Sequence, residues 1–328
     1  MSTQCRHIGD NVCMMSAIVT FPGGYSRAMQ PILSGVSAAV LTPRSRDGNV
    51  DLPEFRHELE FLIARGLKSF TFNGATGEFP QTTPADMIAL LRVARDTTAG
   101  RAEFFVAIGA ASHQTAIELG TIARESGAKA VLLAMPYFYR YAQDDLDAYC
   151  RTVAASVDMP VLLYNLPQFS SGLEPETSLE LIRTCENIVG IKDSGGSLDT
   201  LRLLTVSGVA CTRVIGYDAL IVDAVQQGLC DGVISGIACA LPELILAVHQ
   251  AAHGQDGVRT AQMKAALDAF LVQMNSLPFP WALKALCSAR RIANSAFAQP
   301  ICSQRQTQLH EFRRWFEENR QILLASAD

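Results

Sequence analysis

The stretch Ala130-Val131-Leu132-Leu133-Ala134 is apolar at every position. A strand with one wet face alternates apolar and polar side chains, so an unbroken apolar run fits a parallel strand covered on both faces. Working outward, strands are also expected at Val36–Leu41, Ser69–Phe72, Phe104–Ala107, Pro160–Tyr164, Ile188–Lys192, Thr212–Gly216 and Gly232–Ser235, several of them likewise apolar on successive positions, which with the first run makes eight. The segments between them read as helices with identifiable starts. Asp51 caps a helix from Leu52, with Glu54 placed to complete a capping box and Phe55, Leu59, Leu62 and Ile63 recurring at helical spacing. Thr83, Pro84 and Asp86 begin the next, with Met87, Leu90, Leu91 and Ala94 on one face.

Eight βα units with short connections predict right-handed crossovers and a closed (β/α)8 barrel, the TIM-barrel architecture, rather than an open doubly wound sheet. Further helices are expected around Pro242–His253, Arg259–Asn275, Phe279–Ile292 and Gln306–Leu324. One closes the barrel and the others are surplus, free to cover its side or build a subunit contact. The expected division is a poorly ordered N-terminal extension over 1–34, a barrel core over 35–242, and a closing helix with a C-terminal helical region over 243–328. Met29 begins a segment that could itself start the protein.

Composition narrows the function classes. Apolar residues make up 49% and charged residues 18% of the 328 residues, enough for a large core and too apolar for a disordered chain. Lys and Arg number 27 against 32 Asp and Glu, and no basic run interleaves with aromatics, so nucleic acid is not an expected partner. No apolar run is long enough for a membrane helix, and the N-terminus lacks the apolar core of a signal peptide. The nine cysteines contain no CxxC pair and read as reduced thiols of a cytoplasmic protein. The six histidines form no HxH or HExxH pattern, so no metal site is expected.

In a barrel of this kind, chemistry gathers at the C-terminal ends of the strands. Four ends carry unusual residues: Asn73-Gly74-Ala75-Thr76-Gly77-Glu78-Phe79, Tyr164-Asn165-Leu166-Pro167, Ile191-Lys192-Asp193-Ser194-Gly195-Gly196 and Gly216-Tyr217-Asp218. Lys192 closes an apolar run, where desolvation favours the neutral amine, and a neutral amine attacks carbonyls to form a Schiff base. A lysine already in the solvated loop is the plain alternative. Tyr164 ends the neighbouring strand one βα unit earlier, close enough for its phenol to move protons beside the amine, or simply to be a core tyrosine. The Gly74–Gly77 loop either wraps backbone amides around a carboxylate or is only a tight turn; Glu78 opposes a dianionic phosphate there.

Together these strand ends resemble the dihydrodipicolinate synthase and N-acetylneuraminate lyase family of pyruvate-dependent class I aldolases. The likeness runs from about Gly35 to the C-terminus and includes Gly232-Val233-Ile234-Ser235 at the eighth strand. It implies a Schiff base on Lys192, proton transfer by Tyr164, and a carboxylate held by Thr76 with the neighbouring backbone. Ala75, Gly77, Ile234, Gly216, Asp193 and Arg140 are further candidates for substrate contact, and Gln168, Ser170 and Ser171 for reading the aldehyde half. The imine is the lysine's own, so no separate cofactor is expected. The expected partner is a small 2-oxo acid, and the resemblance implies a homotetramer.

Three departures separate the chain from the synthases of the family. Ala75 stands where they carry a second threonine, Phe138 near their relay tyrosine, and Phe169 where an arginine follows the YNxP motif. The first two remove hydroxyls and the third a bidentate carboxylate grip. Ala219 replaces the glutamate that N-acetylneuraminate lyases carry after Gly-Tyr-Asp. Glu78-Phe79-Pro80 and Lys192–Gly196 look closer to aldolases acting on 4-hydroxy-2-oxoglutarate or 2-keto-3-deoxy sugar acids. The expected activity is therefore a Schiff-base lyase releasing pyruvate and an aldehyde. A dehydratase using the same imine, the synthase itself and a non-catalytic 2-oxo acid sensor are the alternatives.

Overall fold

The computed structural model describes residues 30–324 and a two-stranded antiparallel pair, Val19–Thr20 with Ser26–Arg27. The remainder of the expected N-terminal extension lies outside the described residues. All eight expected strands are present, two with the expected bounds and the others with ends shifted by at most two residues: β1 (Gly35–Ala39), β2 (Ser69–Phe72), β3 (Glu103–Ala107), β4 (Val131–Ala134), β5 (Val161–Asn165), β6 (Ile188–Asp193), β7 (Thr212–Ile215) and β8 (Gly232–Ser235). They run parallel and in chain order, and β8 returns to β1 through Gly232↔Gly35 to Ser235↔Ala38, so the sheet has no free edge.

Helices α1 (Leu52–Ala64), α2 (Pro84–Thr98), α3 (His113–Glu125), α4 (Gln143–Ser156), α5 (Pro175–Thr184), α6 (Asp199–Val206), α7 (Ile221–Gln226) and α8 (Pro242–His253) surround the strands. Successive strand residues point to opposite faces, and this alternation builds two cores. Phe105, Ala107, Leu132, Ala134, Leu162 and Tyr164 fill the barrel interior, while Val106, Val131, Leu133, Leu163 and Ile191 face the helices.

The expected caps hold in part. Thr83 and Asp86 exchange both hydrogen bonds of a capping box at 3.1 Å. Asp51 accepts from the Glu54 amide, but the Glu54 carboxylate does not return to close a box. It accepts instead from the backbone and side chain of Asn294, at 2.7 and 3.2 Å, and ties α1 to the C-terminal region.

Beyond the barrel lie α9 (Gly257–Met274), α10 (Trp281–Ala289) and α11 (Ser303–Leu324). Phe312 and Trp315 of α11 pack on Phe270 of α9 at ring-centroid distances of 6.1 and 6.3 Å. Among the described residues, no helix is long and apolar enough to cross a membrane, and Cys150, Cys239 and Cys287 are buried free thiols.

One buried group gives stability a pH dependence. Glu58 of α1 is fully buried; one carboxyl oxygen accepts the Leu41 N–H at 3.0 Å and the other has no hydrogen-bond partner. Burial pushes its carboxyl up to about 8, against the Leu41 hydrogen bond and with added repulsion from Glu54. An acid raised on folding holds its proton more tightly in the native state, so its contribution is full below the unfolded value of 4.5 and is lost as pH rises towards 8. Between pH 5 and 8 the native state should lose on the order of 3 kcal/mol from this group alone. Glu58→Gln keeps the acceptor for Leu41 and cannot ionise. Denaturant unfolding at the two pH values should show a much smaller decline in this variant, and an unchanged decline would place the dependence elsewhere.

Candidate active site

The C-terminal ends of the strands enclose a cavity of about 450 Å³. Tyr164 and Lys192 are register partners on β5 and β6. Both sit on the inward phase of their strands and are almost completely buried, at 2% and 3% exposure. The Lys192 Nζ lies 4.0 Å from the centroid of the Tyr164 ring, and both residues line the cavity. A lysine so placed has an aromatic face in place of bulk water.

Bare backbone makes the room. A Cβ on Gly216, after β7, would lie 2.6 Å from Lys192 Cε and 2.3 Å from Ser194 Oγ, so any side chain there would displace the lysine. A Cβ on Gly236, after β8, would meet Thr76 Oγ1 at 2.8 Å. Thr76, Ala75, Gly216 and Ile234 thus join Lys192 and Tyr164 around one space.

Three of the expected contacts are not among the cavity-lining residues. Asp193 follows Lys192 on the same strand, and the alternation that turns Lys192 inward turns Asp193 out towards the helices. Its carboxylate accepts from the Gly195 amide at 2.7 Å and from Asn165 Nδ2 at 3.3 Å, pinning the loops after β5 and β6; burial raises its carboxyl above the usual range. Gly77 lies beneath the loop, where a Cβ would be 3.1 Å from Thr42 Oγ1. Arg140 donates to the Ser170 carbonyl at 3.1 Å and joins the loops after β4 and β5. Ser171 accepts from the Tyr141 amide at 2.9 Å. Of the three loop residues expected to read the aldehyde, Gln168 reaches the cavity, its amide donating to the Ser194 carbonyl at 2.7 Å.

Glu78 does not face the space above the Gly74–Gly77 loop in the way its sequence position suggested. With its backbone in the left-handed region (φ 55°), it pairs with the buried Lys284 of α10. Lys284 Nζ also donates to the Ala296 carbonyl at 2.8 Å. A buried ammonium needs such partners, and the pair ties the loop after β2 to the C-terminal helices. The charge opposite Lys284 is therefore spent within the protein.

Asp218, at the end of the Gly216-Tyr217-Asp218 stretch, is a site residue that sequence reasoning missed. It lines the cavity, its Oδ1 accepts the Ser235 hydroxyl, and burial pushes its carboxyl up to about 6 against that hydrogen bond and the attraction of Lys192. It is thus a carboxyl that exchanges its proton close to neutral pH beside an amine. The outer wall, from α9 and the segment after it, had no sequence signal: Leu271, Val272, Met274 and Phe279 close the side of the cavity opposite Phe169. Among the described residues, no group of three or more His, Cys, Asp or Glu is arranged to hold a metal ion.

Comparison with known proteins gives this geometry a lineage. The model of the "Dihydrodipicolinate synthetase family" matches residues 32–319. The probable 2-dehydro-3-deoxy-D-pentonate aldolase YjhH of Escherichia coli K12 is 34% identical over 223 residues, covering 66% of this chain and 74% of the relative. The 4-hydroxy-tetrahydrodipicolinate synthase of Methylibium petroleiphilum is 31% identical over 261 residues, 78% of this chain and 88% of the relative. Among solved structures, YagE of Escherichia coli K12, a prophage protein of the dihydrodipicolinic acid synthase family in complex with pyruvate, superposes with a TM-score of 0.80 at 26% identity over 88% of this chain and 98% of its own. The N-acetylneuraminate lyase of Mycoplasma synoviae, at 19% identity and a TM-score of 0.78, shares the fold.

Proposed function

Because the chain belongs to the dihydrodipicolinate synthetase family, whose members are pyruvate-dependent carbon–carbon lyases, we propose that it cleaves a 4-hydroxy-2-oxo acid to pyruvate and an aldehyde through an imine on Lys192. The 2-keto-3-deoxy sugar acids and related 4-hydroxy-2-oxo acids are the substrate class, a reading supported by the name of the pentonate aldolase relative. The observation that carries it is the buried pairing of the Lys192 amine with the Tyr164 ring at 4.0 Å, at the floor of one cavity.

The neutral Lys192 amine attacks the C2 ketone, and Tyr164 relays protons until water leaves and an iminium forms. Tyr164 then accepts the proton of the C4 hydroxyl. The C3–C4 bond breaks, the aldehyde departs, and the bonding pair moves into the enamine of pyruvate. Protonation at C3 and hydrolysis release pyruvate and regenerate the amine. Thr76 and the backbone of Ala75 hold the C1 carboxylate, and Gly216 and Ile234 line the walls around C2 and C3. The bare backbone at Gly216 leaves the space that the imine carbon occupies. The reading carries with it a cytoplasmic homotetramer with no cofactor besides the lysine.

Asp218 favours a second reading of the same imine. Once Tyr164 has taken a C3 proton from the iminium to give the enamine, a carboxyl titrating near 6 in the cavity can protonate the C4 hydroxyl, which leaves as water as the enamine pair forms the C3–C4 double bond, giving dehydration in place of cleavage. The two outcomes differ in product: cleavage releases pyruvate and dehydration does not. Condensation with aspartate semialdehyde, the synthase reaction, is disfavoured by Ala75, Phe138 and Phe169.

Incubation with pyruvate and borohydride, followed by peptide mass spectrometry, tests the imine. A reduced pyruvyl adduct is expected on the peptide containing Lys192 and nowhere else. A protein left unmodified under conditions that trap another class I aldolase would remove the mechanism.

A further inference from the structure

The cavity has two chemically different halves. Lys192, Tyr164, Thr76 and Asp218 line it at the strand ends, whereas the outer wall is dominated by Phe169, Leu271, Val272, Met274 and Phe279, with Gln168, Asp268 and Asn275 among them. Phe169 on the loop after β5 is 53% exposed, Val272 of α9 is 69% exposed, and Phe279 between α9 and α10 is 42% exposed. The rings of Phe169 and Phe279 stand 6.2 Å apart, tilted by 42°. Leu271 and Met274 complete the wall. Two segments remote in sequence, the loop after β5 and the stretch from α9 to α10, thus converge large apolar side chains on the opening, where they remain in water. Apolar surface gathered around a concave opening marks a place where a ligand removes it from water.

The charges at the cavity point the same way. Lys192 is the cation among the described cavity-lining residues, and the reading above consumes it as the imine. The carboxylates are Asp218 and Asp268. Asp268 is held by Lys264 at 2.9 Å, so Lys264 is not free to grip a substrate anion. The Gln168 amide is engaged by the Ser194 carbonyl. An aldehyde bearing a carboxylate would find no cation at the mouth and would face Asp268, with only the neutral side chains of Asn275 and Tyr217 as donors. A polyhydroxylated one would lay its hydroxyls against hydrocarbon, with loss of their hydrogen bonds to water.

We propose that the outer half of this site seats an uncharged apolar aldehyde, of which an aryl aldehyde is the type, between Phe169 and Phe279. The proposal rests on the imine reading and departs from its sugar-acid substrate class: the substrate is a 4-hydroxy-2-oxo acid with a hydrocarbon group on C4 in place of a hydroxylated chain. The aldehyde half enters last in the synthetic direction and leaves first on cleavage, so the apolar mouth also serves as its exit. Phe169 and Phe279 act as specificity-determining residues and take no part in bond making.

The test runs the reaction towards synthesis, with pyruvate and either benzaldehyde, glycolaldehyde or glyoxylate, in the wild type and in Phe169→Arg. Borohydride trapping with pyruvate alone is recorded on the same samples. The wild type should use benzaldehyde with a kcat/KM at least tenfold above glycolaldehyde and a hundredfold above glyoxylate. The arginine should shift the benzaldehyde-to-glyoxylate ratio by a hundredfold or more towards glyoxylate, because it supplies a bidentate partner for a carboxylate where a ring stood. Trapping at Lys192 with glyoxylate or glycolaldehyde preferred in the wild type would overturn the apolar mouth alone. So would an unchanged ratio in Phe169→Arg, including the case in which that variant alters the oligomer mass because the patch is a subunit contact. Absence of trapping in the wild type would overturn the imine reading and this proposal together.

Discussion

Lys192→Ala should lower pyruvate release by about 10⁴-fold or more and abolish borohydride trapping, while the folded state persists. The size of the loss follows from what the amine does: it supplies the covalent electron sink, and no neighbouring group can replace it. Tyr164 offers a phenol and Asp218 a carboxyl, neither of which forms an iminium. The barrel should tolerate the change because Lys192 lies in the cavity and takes no part in the helix-facing core. The variant also carries an internal check. Lys192 helps to hold Asp218 down, so its removal should raise the Asp218 carboxyl above about 6, and the infrared signature of a protonated carboxylic acid should persist to higher pH. Residual activity within tenfold of wild type would mean that the chemistry runs through another residue.

Tyr164→Phe should produce the second largest loss, roughly 10²–10³-fold in kcat with little change in KM, since only the hydroxyl is deleted. The ring remains over Lys192 and the inward packing of β5 is preserved, so thermal unfolding should move little. Trapping should slow without disappearing: the amine can still attack the ketone, but loss of water and deprotonation of the C4 hydroxyl both lose their proton carrier. Single-turnover measurements separate these steps. Equal slowing of imine formation and cleavage fits a shared proton carrier, whereas a rise in KM at constant kcat would reduce Tyr164 to a binding surface.

The fold was open to reading because its signal is local and repeated. Eight short strand segments recur, several of them apolar at successive positions and so buried on both sides, and caps such as Thr83 with Asp86 punctuate the helices. Lys192 and Tyr164 were legible for a related reason: a polar residue ending an apolar run at the chemically active end of a barrel stands out. Asp193 was expected to reach the substrate from the loop after Lys192, whereas it is the last residue of β6. A strand turns successive side chains to opposite faces, and the carboxylate holds loops together. Arg140 likewise has a charge suited to an anion, yet the Ser170 carbonyl takes it. The wall formed by Leu271, Val272 and Met274 was illegible because helical periodicity says which face is apolar and nothing about which end of the barrel that face meets. Asp218 carried a faint signal, two residues beyond Gly216 at a strand end, and its partner Ser235 sits on the next strand, brought beside it by the pairing of β7 with β8.

The ion pair between Glu78 and Lys284 has a consequence for the order in which the protein comes into being. Glu78 leaves the ribosome roughly two hundred residues before Lys284, an interval of about 10–40 s at ordinary rates of elongation. During that time the loop that carries Thr76 holds an acid whose native partner does not yet exist, and the nascent chain must keep this carboxylate in water. The segment around the loop therefore cannot reach its final buried form on a growing chain, however complete the first strands are. Maturation of the site waits for α10, so a helix translated after all eight strands decides when the loop after β2 becomes competent.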